Sequence, residues 1–105
     1  MLKIMLVCGS GASSGFMAAG MRKAAKQKGL EIEIFARSDA EIPEYADKVD
    51  VILLGSHLKY MKEDLQRKLS SYNLLIDVID PLDYGRMDGK AVLEKILKRM
   101  EGDPS

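Results

Sequence analysis

The chain is 105 residues long, 47% hydrophobic and 30% charged; sixteen basic side chains balance sixteen acidic ones, with one cysteine and one histidine. That length suits one domain over residues 1–105, the charge balance speaks against nucleic acid or an anionic membrane surface, and a lone thiol excludes an internal disulfide or a cysteine-based zinc cluster. No apolar run reaches the roughly 18 residues of a membrane span and the start lacks a signal-peptide layout, so the expectation is a cytoplasmic domain that inserts in no membrane and holds no metal or cofactor.

The first apolar run, Leu2 to Val7, has the length of a strand and ends at Cys8, directly before the turn Gly9-Ser10-Gly11-Ala12-Ser13-Ser14-Gly15. From Ser14 the period changes, placing Met17, Met21, Ala24, Ala25 and Lys28 on one helical face, and Gly29 ends that helix as a C′ residue. Glu31 to Ala36 alternates with period two, as a strand with one partly wet face does. Ser38 to Lys48 is polar, with Pro43 opening a short helix through Tyr45 and Ala46. Val49 to Leu54 is almost continuously apolar, the mark of a strand covered on both faces. Leu58, Met61, Leu65 and Leu69 trace a helical stripe, and Leu74 to Ile79 forms a fourth strand. Asp80 to Asp88 reads as a turn-rich loop, and Val92, Leu93, Ile96, Leu97 and Met100 form a last helix with Asp88 as its N-cap. The polar tail Glu101 to Ser105 frays.

Strands alternating with helices imply right-handed crossovers and an open parallel sheet with helices on both faces. The two most apolar strands, first and third, belong in the centre and the alternating second at an edge, which gives the order 2-1-3-4. Such sheets bind ligands beyond the carboxyl ends of the strands, where the winding reverses, here between strands one and three. Cys8 falls there, as do Gly55-Ser56-His57 after strand three, with Asp80 to Gly85 close by.

A glycine-rich turn that opens a helix aims backbone N–H groups at one point, and a thiol at its mouth is poised to ionise and to hold a phosphate there. Residues 9–15 contain no cationic side chain, so the anion's support must come from those amides, from the serine hydroxyls and from the helix dipole, worth roughly 0.3–1 kcal/mol or more when partly buried. A buried, inert cysteine at a strand end is the plain alternative.

Cys8-Gly9-Ser10-Gly11-Ala12-Ser13-Ser14 resembles the phosphocysteine loop of lactose/cellobiose-type enzyme IIB subunits of the bacterial sugar phosphotransferase system. Asp50 to Gly55 followed by Tyr60-Met61, and Val78-Ile79-Asp80 followed by Tyr84 to Gly89, are similar to that family too, in order and over nearly the whole chain. Ser56-His57 departs from the Pro-Gln common in such subunits. The resemblance implies that the Cys8 thiolate takes a phosphoryl group from a phosphohistidine on a partner IIA subunit. It then passes the group to a sugar, a β-linked disaccharide such as cellobiose or chitobiose, bound in a membrane IIC transporter. It further implies a phosphate cradle from Gly9 to Gly15 and a cytoplasmic, monomeric subunit that meets the membrane only through IIC.

Low-molecular-weight tyrosine phosphatases share the strand–loop–helix layout, and Asp80-Pro81 is similar to their acid. Their loop arginine has no counterpart here, where Ser14 stands, and Arg22 is more than two helical turns further along. A phosphatase-like hydrolase and a silent docking module are therefore the two rival classes. Secondary candidates are His57, as a cap, solvent-facing or phosphate-contacting side chain; Tyr84, near the phosphate loop or at the core edge; and Asp80, as an acid if its pKa is raised. Phe16 or Met17 is a candidate docking anchor, although the helical stripe favours core for Met17. The lysines at 23, 26 and 28 and those from Lys59 to Lys68 read as solvated helix faces with intrahelical pairs.

Overall fold

The computed structural model describes residues 2–7 and 12–100. In chain order these form β1 (Leu2–Val7), α1 (Ala12–Gln27), β2 (Ile32–Arg37), a 3₁₀ turn (Asp39–Glu41), α2 (Ile42–Tyr45) and β3 (Val51–Leu54). A 3₁₀ segment (Ser56–Met61), α3 (Lys62–Lys68), β4 (Leu75–Val78), α4 (Pro81–Gly85) and α5 (Gly89–Met100) follow. The strands form one parallel sheet in the expected order β2-β1-β3-β4.

The apolar run of β1 splits by parity, as a strand covered on both faces requires. Ile4 and Leu6 face α1 and α5, joining Met17, Met21, Val51, Leu53, Leu93 and Ile96 in one core. Met5 and Val7 face the other way, joining Ile42, Ile52, Leu54, Leu58, Leu65 and Ile76. All four residues of β3 are buried, whereas in the edge strand β2 only Ile34 is. Met17 and Met21 are core, as the helical stripe implies, and Phe16 is the exposed one of the two docking candidates.

Gly29 ends α1 as expected, with φ of 72°. Its N–H bonds the Lys26 carbonyl at 3.1 Å, and the Leu30 N–H reaches the Ala25 carbonyl at 2.9 Å. Asp88 caps α5, its Oδ1 accepting from the Ala91 N–H at 3.1 Å. Asp64 pairs with Lys68 and Arg67 within α3, as the intrahelical reading requires. Lys28 instead pairs with Glu94 on α5 and Lys62 with Asp77 on β4, because those two side chains face a neighbouring element rather than their own helix.

Two expectations need correction. The segment from Asp80 to Asp88 is not all loop: Pro81 opens the short helix α4, because Asp80 supplies an N-cap and proline fixes the first helical φ. The stripe from Leu58 to Leu69 is not one α-helix, since its first part winds as 3₁₀ and only Lys62–Lys68 is α-helical.

Candidate functional site

The carboxyl ends of three strands are tied side by side. The Ile79 N–H donates to the Leu54 carbonyl at 2.8 Å, and the Gly55 N–H donates to the Val7 carbonyl at 2.9 Å. The exits of β4, β3 and β1 thus lie in register, and the chain leaves Val7 for α1 at the point where the winding reverses between β1 and β3. Cys8, Gly9, Ser10 and Gly11, together with the side chains of Ala12, Ser13 and Ser14, lie outside the described residues, as does the tail from Glu101 to Ser105. The backbone of Ala12 to Gly15 forms the start of α1, whose first N–H groups have no carbonyl partner within the helix.

His57 and Tyr84 come together at this end. Their rings meet edge to face, with centroids 6.1 Å apart at 89°. His57 is exposed within the 3₁₀ segment after β3, and Tyr84 is partly buried, packing from α4 onto the core beneath α1 and α5. The segment after Tyr84 then crosses to α1: a Cβ added at Gly20 would lie 3.9 Å from the Met87 carbonyl oxygen. Residues 84–87 therefore run from beside His57, after β3, to the middle of α1.

Asp80 is held as a carboxylate. Its Oδ1 accepts from the Leu82 N–H at 2.8 Å, and Lys95 Nζ stands 3.6 Å from its other oxygen. The Leu82 N–H, followed by Lys95, holds this carboxyl below its ordinary pKa, opposite to what a proton donor needs. Lys95 also donates to the nearly buried Asp83 at 2.6 Å, and these carboxylates raise its own pKa, Asp83 foremost. No local sequence pattern marks Lys95, which lies 12 and 15 positions from its partners Asp83 and Asp80. The cleft of about 360 Å³ between β4 and α5 shares these groups, and there Arg99 pairs with Asp77 at 3.2 Å.

Arg22 does not reach for this end. Its Nη1 donates to the Ile34 carbonyl at 2.7 Å, which binds α1 to the edge strand β2. Among the described residues no cluster of three or more His, Cys, Asp or Glu side chains is arranged to hold a metal, and no helix is long and apolar enough to cross a membrane.

An open parallel sheet of order β2-β1-β3-β4, with β1 followed in the chain by α1 at the point where the winding reverses, defines a doubly wound α/β protein. Residues 3–95 match the model of one family, the lactose/cellobiose-specific IIB subunit of the phosphotransferase system. The chain belongs to that family and is a phosphotransferase component. It is 36% identical to the oligo-beta-mannoside-specific EIIB component of Bacillus subtilis over 95% of this chain and 97% of that one. A solved cellobiose-specific IIB component of Borrelia burgdorferi superposes with a TM-score of 0.78 at 30% identity, covering 99% of this chain and 95% of that one. The lactose-specific IIB domain of Streptococcus pneumoniae superposes with a TM-score of 0.83 at 13% identity, covering 92% and 95% respectively. The expected likeness to low-molecular-weight tyrosine phosphatases holds for the fold: one from Bacillus subtilis gives a TM-score of 0.60 at 15% identity over 99% of this chain and all of that one.

Proposed function

We propose that residues 1–105 form one IIB-type domain that carries a phosphoryl group on Cys8. The observation that carries the reading is the position of the single thiol, between the last residue of β1 and the start of α1, in a chain of this family. The Cys8 thiolate attacks the phosphorus of a phosphohistidine on IIA; an S–P bond forms as the N–P bond breaks, and the imidazole nitrogen keeps the electron pair. A hydroxyl of the sugar held by membrane IIC then attacks the same phosphorus, and the thiolate leaves. Each step is in line, so the protein's work is positioning and charge stabilisation, for which Gly9 to Gly15 supply backbone N–H groups. No metal or cofactor enters this scheme. The sugar is a β-linked disaccharide, and the domain is a cytoplasmic monomer that meets the membrane through IIC.

The hydrolase reading is weaker on two counts. Arg22 is committed to the Ile34 carbonyl, and Asp80 is held in its charged form. A phosphoryl group on this loop would thus meet neither a guanidinium from Arg22 nor a ready acid in Asp80.

The test is intact mass after incubation with a phosphorylated lactose/cellobiose-type IIA protein, followed by peptide mapping. One stable phosphoryl group on Cys8, absent from a folded Cys8→Ser variant, is the expected result. Full labelling of the serine variant overturns the phosphocysteine assignment, and rapid phosphate release with no adduct favours the hydrolase.

A further inference from the structure

Helix α5 covers the sheet unevenly. Gly20 of α1 and Gly89 of α5 pack backbone to backbone, a Cβ on Gly20 falling 3.6 Å from the Gly89 Cα, and that approach holds α5 toward α1. On its other side lies the edge strand β4, where the residue that Arg99 of α5 reaches is the short Asp77. A cleft of about 360 Å³ is left between β4 and α5. Core residues line it: Leu53, Ile79, Val92 and Ile96, none more than 4% exposed. A concave apolar site of this volume with a few convergent polar groups has the ordinary form of a small-molecule pocket.

The edge strand refuses one class of occupant. Leu75 and Ile79 send their N–H groups to the Asp50 and Leu54 carbonyls, toward β3, so the Val78 N–H, of opposite parity, points outward. Asp77 Oδ1 accepts that N–H at 2.9 Å, and Lys62 and Arg99 hold the Asp77 carboxylate in turn. An added peptide strand would have to break this arrangement to bond the edge, so the cleft suits a small molecule. Charge then selects the sign of that molecule. The acids of the lining are all engaged, Asp77 by Lys62 and Arg99, and Asp80 and Asp83 by Lys95. The unused capacity is on the donor side. Lys98 makes no ion pair among the described residues, and Arg99 brings a guanidinium with five N–H donors, of which Nη1 faces Asp77.

We propose that the cleft between β4 and α5 binds a small carboxylate with an apolar body. The body rests on Leu53, Ile79, Val92 and Ile96, and the carboxylate turns to Lys98 and Arg99 at the mouth. Charge-assisted bonds to these two cations fix the orientation, and burial of the body supplies the remaining affinity. A cation of the same shape would meet Lys98, and it could reach a carboxylate only by displacing Lys95, Lys62 or Arg99 from its acid. The inference holds whether or not Cys8 carries a phosphoryl group.

Cinnamate is the probe, titrated into the isotope-labelled full chain and followed through amide NMR shifts, with cinnamylammonium as its cationic counterpart. The expected result is a saturable shift confined to β4 and α5, around Val78, Ile79, Val92 and Ile96. Cinnamate should bind about tenfold more tightly than the ammonium. Lys98→Gln should weaken cinnamate several-fold, and Lys98→Glu should remove its advantage over the ammonium. Both changes fall on an exposed side chain, and thermal melts check that the variants fold. Shifts that do not saturate, or that centre outside the cleft, overturn the site. Equal or tighter binding of the ammonium overturns the assigned ligand class. So does an undiminished affinity for cinnamate in both folded Lys98 variants.

Discussion

Helices α1 and α5 touch through backbone at one point, and a single methyl group tests that contact. A Cβ built on Gly89 would stand 2.5 Å from the Gly20 carbonyl carbon and 2.5 Å from the Met21 nitrogen. Neither atom belongs to a side chain that can swing aside, so Gly89→Ala must part the helices by about 1 Å to restore ordinary contact. The displaced interface includes Met17, Met21, Val92, Leu93 and Ile96. Overpacking of this kind costs about 1–3 kcal/mol, against which alanine's helix preference over glycine returns at most about 1 kcal/mol. The expected net loss is about 1–2 kcal/mol, or a fall in melting temperature of about 4–16 °C for a chain of this size. Gly20→Ala supplies the control. Its Cβ would sit 3.6 Å from the Gly89 Cα, an ordinary contact, so the helix preference should leave that variant neutral or slightly more stable. The need for glycine at 89 is steric, unlike that at Gly29 with its φ of 72°. Thermal and urea denaturation of both variants decide the matter, and a Gly89→Ala protein as stable as its parent would refute the backbone contact.

Asp80 has a lowered folded pKa, so its contribution is fully present above its unfolded pKa and is lost as pH falls through the lower folded value. The stability gap between the parent and Asp80→Asn should therefore be constant near neutrality and close below about pH 4, as read by urea denaturation at stepped pH. Lys95 has a raised folded pKa; the gap between the parent and Lys95→Met should persist at neutral pH and close only as pH rises beyond about 10, through the folded value. Arg22→Met removes the guanidinium bond to the Ile34 carbonyl and should cost about 1.5–3 kcal/mol of stability while the folded variant still accepts a phosphoryl group. Loss of acceptance in a folded Arg22→Met protein would return that arginine to the phosphate site.

The sheet was legible because burial on two faces leaves a plain trace in composition. Leu2 to Val7 and Val49 to Leu54 are nearly unbroken apolar runs, and the strands they contain are central. Glu31 to Ala36 alternates, and β2 is an edge. Gly29 and Asp88 were legible because a positive φ and an N-cap are local demands. What escaped is what depends on distant partners. Helix α4 is short, and Lys95 holds it from the next helix through Asp80 and Asp83. The 3₁₀ winding of Ser56–Met61 was hidden because Leu58 and Met61, three apart, suit either helix type. The ends of β3 and β4 fell short of the apolar runs, since Val49 and Ile79 are buried beyond the strands themselves.

The cations of this fold bear on the choice between carrying a phosphoryl group and hydrolysing it. Arg22 is bonded to β2, Lys95 to the α4 segment, and Lys62 and Arg99 both to Asp77 on β4. These charges serve the scaffold, and no cationic side chain occurs between Cys8 and Gly15. A guanidinium fixed over the loop would stabilise the transition state for attack by any nucleophile, water included. On the carrier reading, a cradle of backbone N–H groups would hold the phosphoryl group with less charge and leave part of the stabilisation to the incoming partner. On the same reading, Lys59 and Arg86, on the segments that follow β3 and β4, favour the approach of an anionic donor without clamping the bound group. Arg86→Glu should accordingly slow loading from IIA and leave the lifetime of the loaded chain in water unchanged. A phospho-protein that hydrolyses several times faster or slower in that variant would show that Arg86 reaches the phosphoryl group itself.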